Sequence, residues 1–214
     1  MPWVKMSGDG KYIRTLGELE RANSTGVIQF PGRISVFGQP LSRWSHLRVA
    51  PNGSSIVLVH GPPSEDPSPR FTVTRMDVAG DTLYHRAYRY TPRPISPAMA
   101  DSMYAGFEPS FAAFPPAAVR AEIRDKVHLP PMLPPVSDVV HASDGSTWLR
   151  REESPGPTAG WLVLDANGYV RATLRAPVGL KILLVEGDVV WGAIQDELDV
   201  SYGVKYRRSS ERSN

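Results

Sequence analysis

The sequence predicts a mainly β chain built from repeated antiparallel hairpins and interrupted once by short helices. Three observations carry that prediction. Proline fills 21 of 214 positions, about double the usual share of ~5%, which cuts helices short and suits a chain with many turns. Turn dipeptides such as Asn52-Gly53, Asp144-Gly145 and Asn167-Gly168 stand between runs of alternating apolar residues, the strongest short-range hairpin signal. The hairpins also come in two kinds that alternate along the chain. With 41% hydrophobic and 21% charged residues, there is enough apolar material for a packed core and too little charge for wholesale disorder.

The first kind of hairpin comprises LRVAPNGSSIVLV, VVHASDGSTWLR and ILLVEGDVVWGAI. Aligned on Gly53, Gly145 and Asp188, each has a large apolar residue three positions later: Ile56, Trp148 and Trp191. Val49, His141 and Leu184 stand four positions before, and Leu47, Val139 and Ile182 six before. That common phase predicts that the same face of each hairpin is buried. The second kind comprises WVKMSGDGKYIRTL and WLVLDANGYVRATL, with FTVTRMDVAGDTLYHRAYRY a looser member. Aligning Gly10 with Gly168 matches Trp3, Val4 and Met6 to Trp161, Leu162 and Leu164. Tyr12, Arg14 and Leu16 then match Val170, Ala172 and Leu174.

A first-kind hairpin at 45–60 precedes a second-kind one at 70–90, and the order repeats at 136–152 and 160–175. Two hairpins in succession make a four-stranded antiparallel unit, and that unit repeated is the blade of a β-propeller. The expected fold is therefore a partial β-propeller. Residues 2–16 supply half a blade, 45–90 and 136–175 supply whole ones, and 180–207 a last unit. A further strand pair is expected at 25–38, turning at Pro31-Gly32. The whole forms one incomplete domain over 1–207, followed by a disordered tail at 208–214. A β-sandwich also has many short strands, but the alternation of two hairpin kinds favours the propeller.

Residues 91–135 break the rhythm. In ISPAMADSMYAGF, Ser96 is a helix N-cap, Pro97 opens the helix, and Met99 and Met103 lie one turn apart. In FPPAAVRAEIRDKV, Pro116 starts a second helix with Val119, Ile123 and Val127 spaced four apart. This helical insertion, about 96–127, is read as packing its Met and Val stripe against a blade, ahead of a lid over a central channel. LPPMLPPVS is a stiff extended connector.

The chemistry-bearing residues are sparse. There is no cysteine, which rules out disulfides and thiolate metal sites. No phosphate-binding glycine loop, nucleophile elbow or paired-histidine motif occurs. His46, His60, His85, His128 and His141 are scattered. His141 falls on an apolar hairpin face as a hydrogen-bonded core histidine, and His60 borders a proline-serine loop carrying Glu65 and Asp66. The candidate metal group is Asp196, Glu197 and Asp199, three acids within four residues; a solvated turn is the preferred reading. Arg150, Arg151, Glu152 and Glu153 form a charged strand end. A net charge of +2 implies no nucleic-acid partner, and the basic tail with Lys205, Arg207, Arg208 and Arg212 reads as a solvated terminus. No stretch is apolar enough over ~20 residues to cross a membrane. MPWVKM carries no secretory leader and runs at once into strand-like sequence, as though the chain began within a domain.

The runs VSDVVHASDGSTWLRRE, WLVLDANGYVRATLRAP and GDVVWGAIQDELDVSYGVKYR, with TPRPIS and AAVRAEI before them, resemble the C-terminal end of bacterial six-bladed β-propellers. These are the relatives of the NHL and TolB-like families. The likeness covers about residues 85–207 well and 1–84 less specifically. It implies a chain corresponding to the C-terminal half of a larger, exported propeller, and it brings no catalytic residues with it. The ending RRSSERSN departs from the family pattern.

From these observations, a non-enzymatic propeller scaffold binding a protein or small ligand is expected, with no cofactor. The alternative is a metal-dependent hydrolase or lactonase holding one divalent cation, for which Glu186, Asp188 and Asp144 at hairpin turns are the further acids. Exposed blade edges are a route to self-association, and an incomplete reading frame would expose the same edges.

Overall fold

The computed structural model describes residues 2–6, 11–18, 25–41, 45–61, 69–151 and 158–208. These form fifteen strands, two α-helices and one 3₁₀ turn, and every strand pair is antiparallel. The chain divides into two compact units, residues 1–44 with 91–134, and residues 45–90 with 135–214.

In the first unit, β1 (Pro2–Met6) pairs with β2 (Tyr12–Glu18) and β3 (Thr25–Phe30) with β4 (Arg33–Gly38). The β3–β4 turn is Pro31-Gly32: proline presets its own φ, and Gly32 takes the left-handed φ of 76° that a side chain would resist. Helix α1 (Pro97–Ala105) is capped by the Ser96 side chain, which accepts the Met99 amide at 3.2 Å. A 3₁₀ turn at Glu108–Phe111 leads to α2 (Pro116–Lys126). Val119, Ile123 and Val127 are buried against Ile28 of β3 and Phe111, and Phe30 stacks on Phe114 with centroids 4.5 Å apart. The valine-isoleucine stripe is thus core, seated on the β3–β4 hairpin. The Met99–Met103 stripe is not, since α1 has no fully buried residue.

The second unit holds three meanders. Meander A runs β5 (His46–Val49), β6 (Ser55–His60), β7 (Arg70–Asp77), β8 (Thr82–Arg89). Meander B runs β9 (Asp138–His141), β10 (Thr147–Arg151), β11 (Thr158–Leu164), β12 (Val170–Pro177). Meander C has β13 (Lys181–Glu186), β14 (Val189–Gln195) and β15 (Ser201–Arg207). Strands within each are hydrogen-bonded in chain order. A packs on B through Val57, Phe71 and Val73 against Val139, Leu149 and Leu162. B packs on C through Trp148, Trp161 and Val163 against Ile182, Val185 and Val190. Because B is covered on both faces, residues 159–164 of β11 are buried without a break, whereas the outer strand β12 alternates. The first strands lie in succession, β5 beside β9 and β9 beside β13.

Hairpins β7–β8 and β11–β12 repeat at a spacing of 88 residues in exact register. Met76 pairs with Thr82 as Leu164 pairs with Val170, and Arg75 with Tyr84 as Val163 with Ala172, with one bulge at the same place. Hairpin β1–β2 has the same register there, Met6 with Tyr12 and Lys5 with Arg14, and the same bulge. Gly10, on which its alignment was made, lies outside the described residues. The turns share one design: Asp77 and Asp165 accept amides of the turn on their carboxylates, and Gly80 and Gly168 adopt φ of 86° and 80°. The β14–β15 turn copies it with Asp196 as the acceptor, but Asp199 stands where glycine would, at φ 60°.

The common phase expected of the first-kind hairpins is kept in the pairing of two, Val49 with Ile56 and Leu184 with Trp191, and shifts by one residue in the third, where His141 pairs with Thr147. Their loops differ in length, since Val49 pairs with Ile56, His141 with Thr147, and Glu186 with Val189. An odd change in loop length turns the following strand over, because side chains alternate with period two. Trp148 faces meander C, whereas Trp191, next to the inward-facing Val190, lies on the face of β14 turned away from meander B and is 40% exposed.

Candidate functional site

The A–B and B–C junctions begin from equivalent backbones and differ in their side chains. At A–B, long polar side chains of meander A reach the turn carbonyls of B. Arg75 donates from a terminal guanidinium nitrogen to the Ala166 carbonyl at 2.7 Å, and Arg86 donates from Nε to Asn167 at 2.9 Å. The Tyr88 hydroxyl donates to the Gly168 carbonyl, and the Arg86 guanidinium lies 3.9 Å from the Tyr169 ring centroid. Lower down, Arg48 Nε donates to the Val139 carbonyl at 2.8 Å, and its guanidinium contacts the Asp138 carboxylate at 3.2 Å. Burial raises the Tyr88 hydroxyl's pKa, so it remains a donor at any physiological pH.

Beneath these clasps lies a buried polar chain. Arg75 Nε donates to Ser55 Oγ at 3.2 Å, and Ser55 Oγ lies 2.8 Å from His141 Nε2. His141 Nδ1 faces the Ser146 carbonyl at 3.2 Å. A carbonyl only accepts, so Nδ1 carries the hydrogen and Nε2 accepts from the Ser55 hydroxyl. Burial first, and the nearby Arg75 charge as well, hold the imidazole pKa down to about 4 against the pull of the Ser146 carbonyl. A serine hydroxyl donating to a neutral histidine is the pairing of a nucleophile and its base. Here Ser55 is 0% and His141 3% exposed, so the pair joins β6 to β9 and leaves an incoming substrate no approach.

At B–C the corresponding positions, 88 residues on, are smaller and apolar: Phe71, Arg75, Arg86 and Tyr88 become Ala159, Val163, Leu174 and Ala176. Where Phe71 and Tyr88 stack with centroids 5.4 Å apart, meander B has two alanines. The result is a cleft of about 170 Å³ between β12 and meander C, with Trp148, Trp161, Leu174, Ala176, Ile182 and Tyr206 in its walls. Trp161 is buried, and its indole N–H has no hydrogen-bond partner among the described residues. Arg207 and Arg208, at the end of β15, also border the cleft. The first unit has a wider cavity of about 570 Å³ between β3 and the end of α2, bordered by Gly26, Gln39, Lys126 and His128. Gln39 braces it, donating to the Lys126 carbonyl and accepting the His128 amide.

The acids singled out in the sequence serve the turns. Asp196 Oδ1 accepts the Leu198 and Val200 amides, both at 2.9 Å, and Oδ2 accepts the Tyr202 hydroxyl at 2.9 Å. These bonds hold its carboxyl below the usual carboxylate range. Glu197 and Asp199 are exposed beside it. Asp144 accepts the Ser146 amide at 2.8 Å, and Asp188 contributes its backbone carbonyl to the Arg208 amide. Glu186 is exposed at the end of β13. Among the described residues, no three carboxylates or histidines come together as a metal-holding group. His46 Nε2 faces the Val136 carbonyl at 3.2 Å, His60 pairs with Ser45, and His85 with Thr74. Glu65, Asp66, Glu152, Glu153 and the tail from 209, with Arg212, lie outside the described residues. No described helix is long and apolar enough to cross a membrane.

The sequence reading passed over the residues that distinguish the two junctions: Arg75, Arg86 and Tyr88 on one side, Ala159 and Ala176 on the other. The signal was present, since the 88-residue alignment sets large side chains against small ones. No family model, curated protein or solved structure matches the chain.

Proposed function

We propose that the chain is part of a β-propeller, akin to the C-terminal portion of the bacterial NHL and TolB-like propellers, and that it works as a binding scaffold. The propeller reading is supported by three successive meanders stacked face to face with their first strands side by side, the arrangement of blades around an axis. The observation that carries the functional reading is the cleft between meanders B and C. It is an apolar concavity with a few polar groups at its border, the usual form of a ligand site. Of the three hydroxyl–imidazole pairs at 2.8 Å among the described residues, Ser55–His141 is sealed inside the A–B junction, whereas Ser45–His60 and Thr74–His85 lie nearer the surface.

The test is chemical-shift mapping of the isotope-labelled chain against a panel of small ligands, run beside turnover assays on lactone and ester substrates with and without calcium. Shifts clustered on β12 and β15 without turnover are the expected result. Metal-dependent turnover would overturn the scaffold reading, and shifts confined to other surfaces would overturn the cleft as its site.

A further inference from the structure

We infer that the B–C cleft is a receptor for a single aromatic ring bearing a carboxylate. This rests on the reading of the cleft as the binding site and names what it binds. The argument begins at the junction that is full. Tyr88 of β8 spans from meander A to meander B, its ring stacked on Phe71 and its hydroxyl on the carbonyl of Gly168, just beyond the third strand of B. Ala176 occupies the equivalent place on β12, in the same register. A ring and its polar end are therefore missing from the B–C junction, and the cleft borders the residue where they would begin.

The size of the vacancy agrees with its origin. Apolar cavities of about 150 Å³ accept a benzene ring, and this one measures about 170 Å³. Apart from its arginines its walls are apolar, with Trp148, Trp161 and Tyr206 aromatic, Leu174 and Ile182 among the branched aliphatic residues, and Arg175 a further cation at the border. Offset or edge-on stacking against such walls adds about 0.5–1.5 kcal/mol per ring pair beyond area burial.

The polar end differs between the two junctions. Beyond β11, the Tyr88 hydroxyl meets a backbone carbonyl, which selects a donor. At the end of β15, Arg207 closes the strand and Arg208 follows it, and both border the cleft. Neither guanidinium is paired with a carboxylate among the described residues, and no acid is among the residues bordering the cleft. Two unneutralised cations at the mouth of an apolar slot select an acceptor with negative charge, and an arginine binds a carboxylate through two parallel hydrogen bonds.

Three probes separate the elements of the proposal: phenylacetate, its neutral counterpart 2-phenylethanol, and the ringless anion hexanoate. Binding is read from the fluorescence of the tryptophans and by calorimetry, at low salt and at 0.5 M salt. Phenylacetate should bind at least tenfold more tightly than either other probe, and the advantage over phenylethanol should shrink in high salt and in Arg207→Gln/Arg208→Gln. Ala176→Tyr should supply the missing ring from within, raise the melting temperature and abolish phenylacetate binding. Should that variant misfold, loss or retention of phenylacetate-induced shifts at the Trp148 and Trp161 indole resonances of the unaltered chain decides the location. Equal affinity for phenylacetate and phenylethanol, or binding that leaves those indoles unmoved, would overturn the proposal. If other ligands perturb the cleft while phenylacetate does not, the ligand class is wrong and the scaffold reading stands. If nothing perturbs it, both fail.

Discussion

Acid should weaken this fold through His141, and the size of the effect follows from its surroundings. The imidazole is 3% exposed between β6, β9 and β10, and burial with the Arg75 charge lowers its pKa from 6.5 to about 4. The folded chain thus favours the neutral ring, and the unfolded chain takes up the proton first. The neutral histidine's contribution is complete above pH 6.5 and is lost as pH falls toward 4, below which the loss levels off. At 1.36 kcal/mol per pH unit between those values, the full loss is about 3 kcal/mol. For a chain of this size that is a fall of about 6–12 °C in melting temperature. His46, also held down by burial, acts in the same direction, so a control must isolate His141. In His141→Gln, the amide keeps an acceptor for Ser55 and a donor for the Ser146 carbonyl but cannot titrate. Urea unfolding of both proteins at intervals from pH 7.5 to 4 should give curves that converge by about 3 kcal/mol in acid. Parallel curves would refute the reasoning, as would an imidazole pKa near 6.5 for His141 by nuclear magnetic resonance.

Other perturbations follow from the turns. Asp199→Gly removes a side chain from a left-handed backbone at φ 60° and should stabilise the chain by about 1 kcal/mol, seen as a rise of about 2–4 °C in the melt. Gly168→Ala sets a Cβ at 2.7 Å from the Tyr84 ring, whereas Gly53→Ala meets nothing within 4 Å. Both substitutions carry the left-handed penalty of about 1–2 kcal/mol, so Gly168→Ala should lower the melting temperature more, and equal effects would refute the close approach of β8 to the β11–β12 turn. Calcium, magnesium or EDTA should leave the melt unchanged, because the Asp196 carboxylate is already engaged by two amides and the Tyr202 hydroxyl. A metal-dependent rise would return Asp196, Glu197 and Asp199 to the role of ligands.

By itself, the sequence determined the local elements. Asn-Gly and Asp-Gly dipeptides between apolar runs located the hairpins, Pro31-Gly32 the β3–β4 turn, and Ser96-Pro97 and Pro116 the starts of both helices, because each depends on dihedral preferences within a few residues. It also exposed the kinship of the second-kind hairpins, whose registers agree next to the turn and at the bulge beside it. What only the tertiary structure decided were the faces and the junctions. Trp148 is buried because meander C covers its face of B, whereas Trp191, next to the inward-facing Val190, lies on the face of β14 turned away from B and is left 40% exposed. The cleft is less legible still. Ala159 and Ala176 are unremarkable in β11 and β12, and their small size matters only where a third meander stands opposite and leaves a ring's volume unfilled. Short-range propensity specifies a strand, whereas a void is a property of two surfaces that meet only after folding.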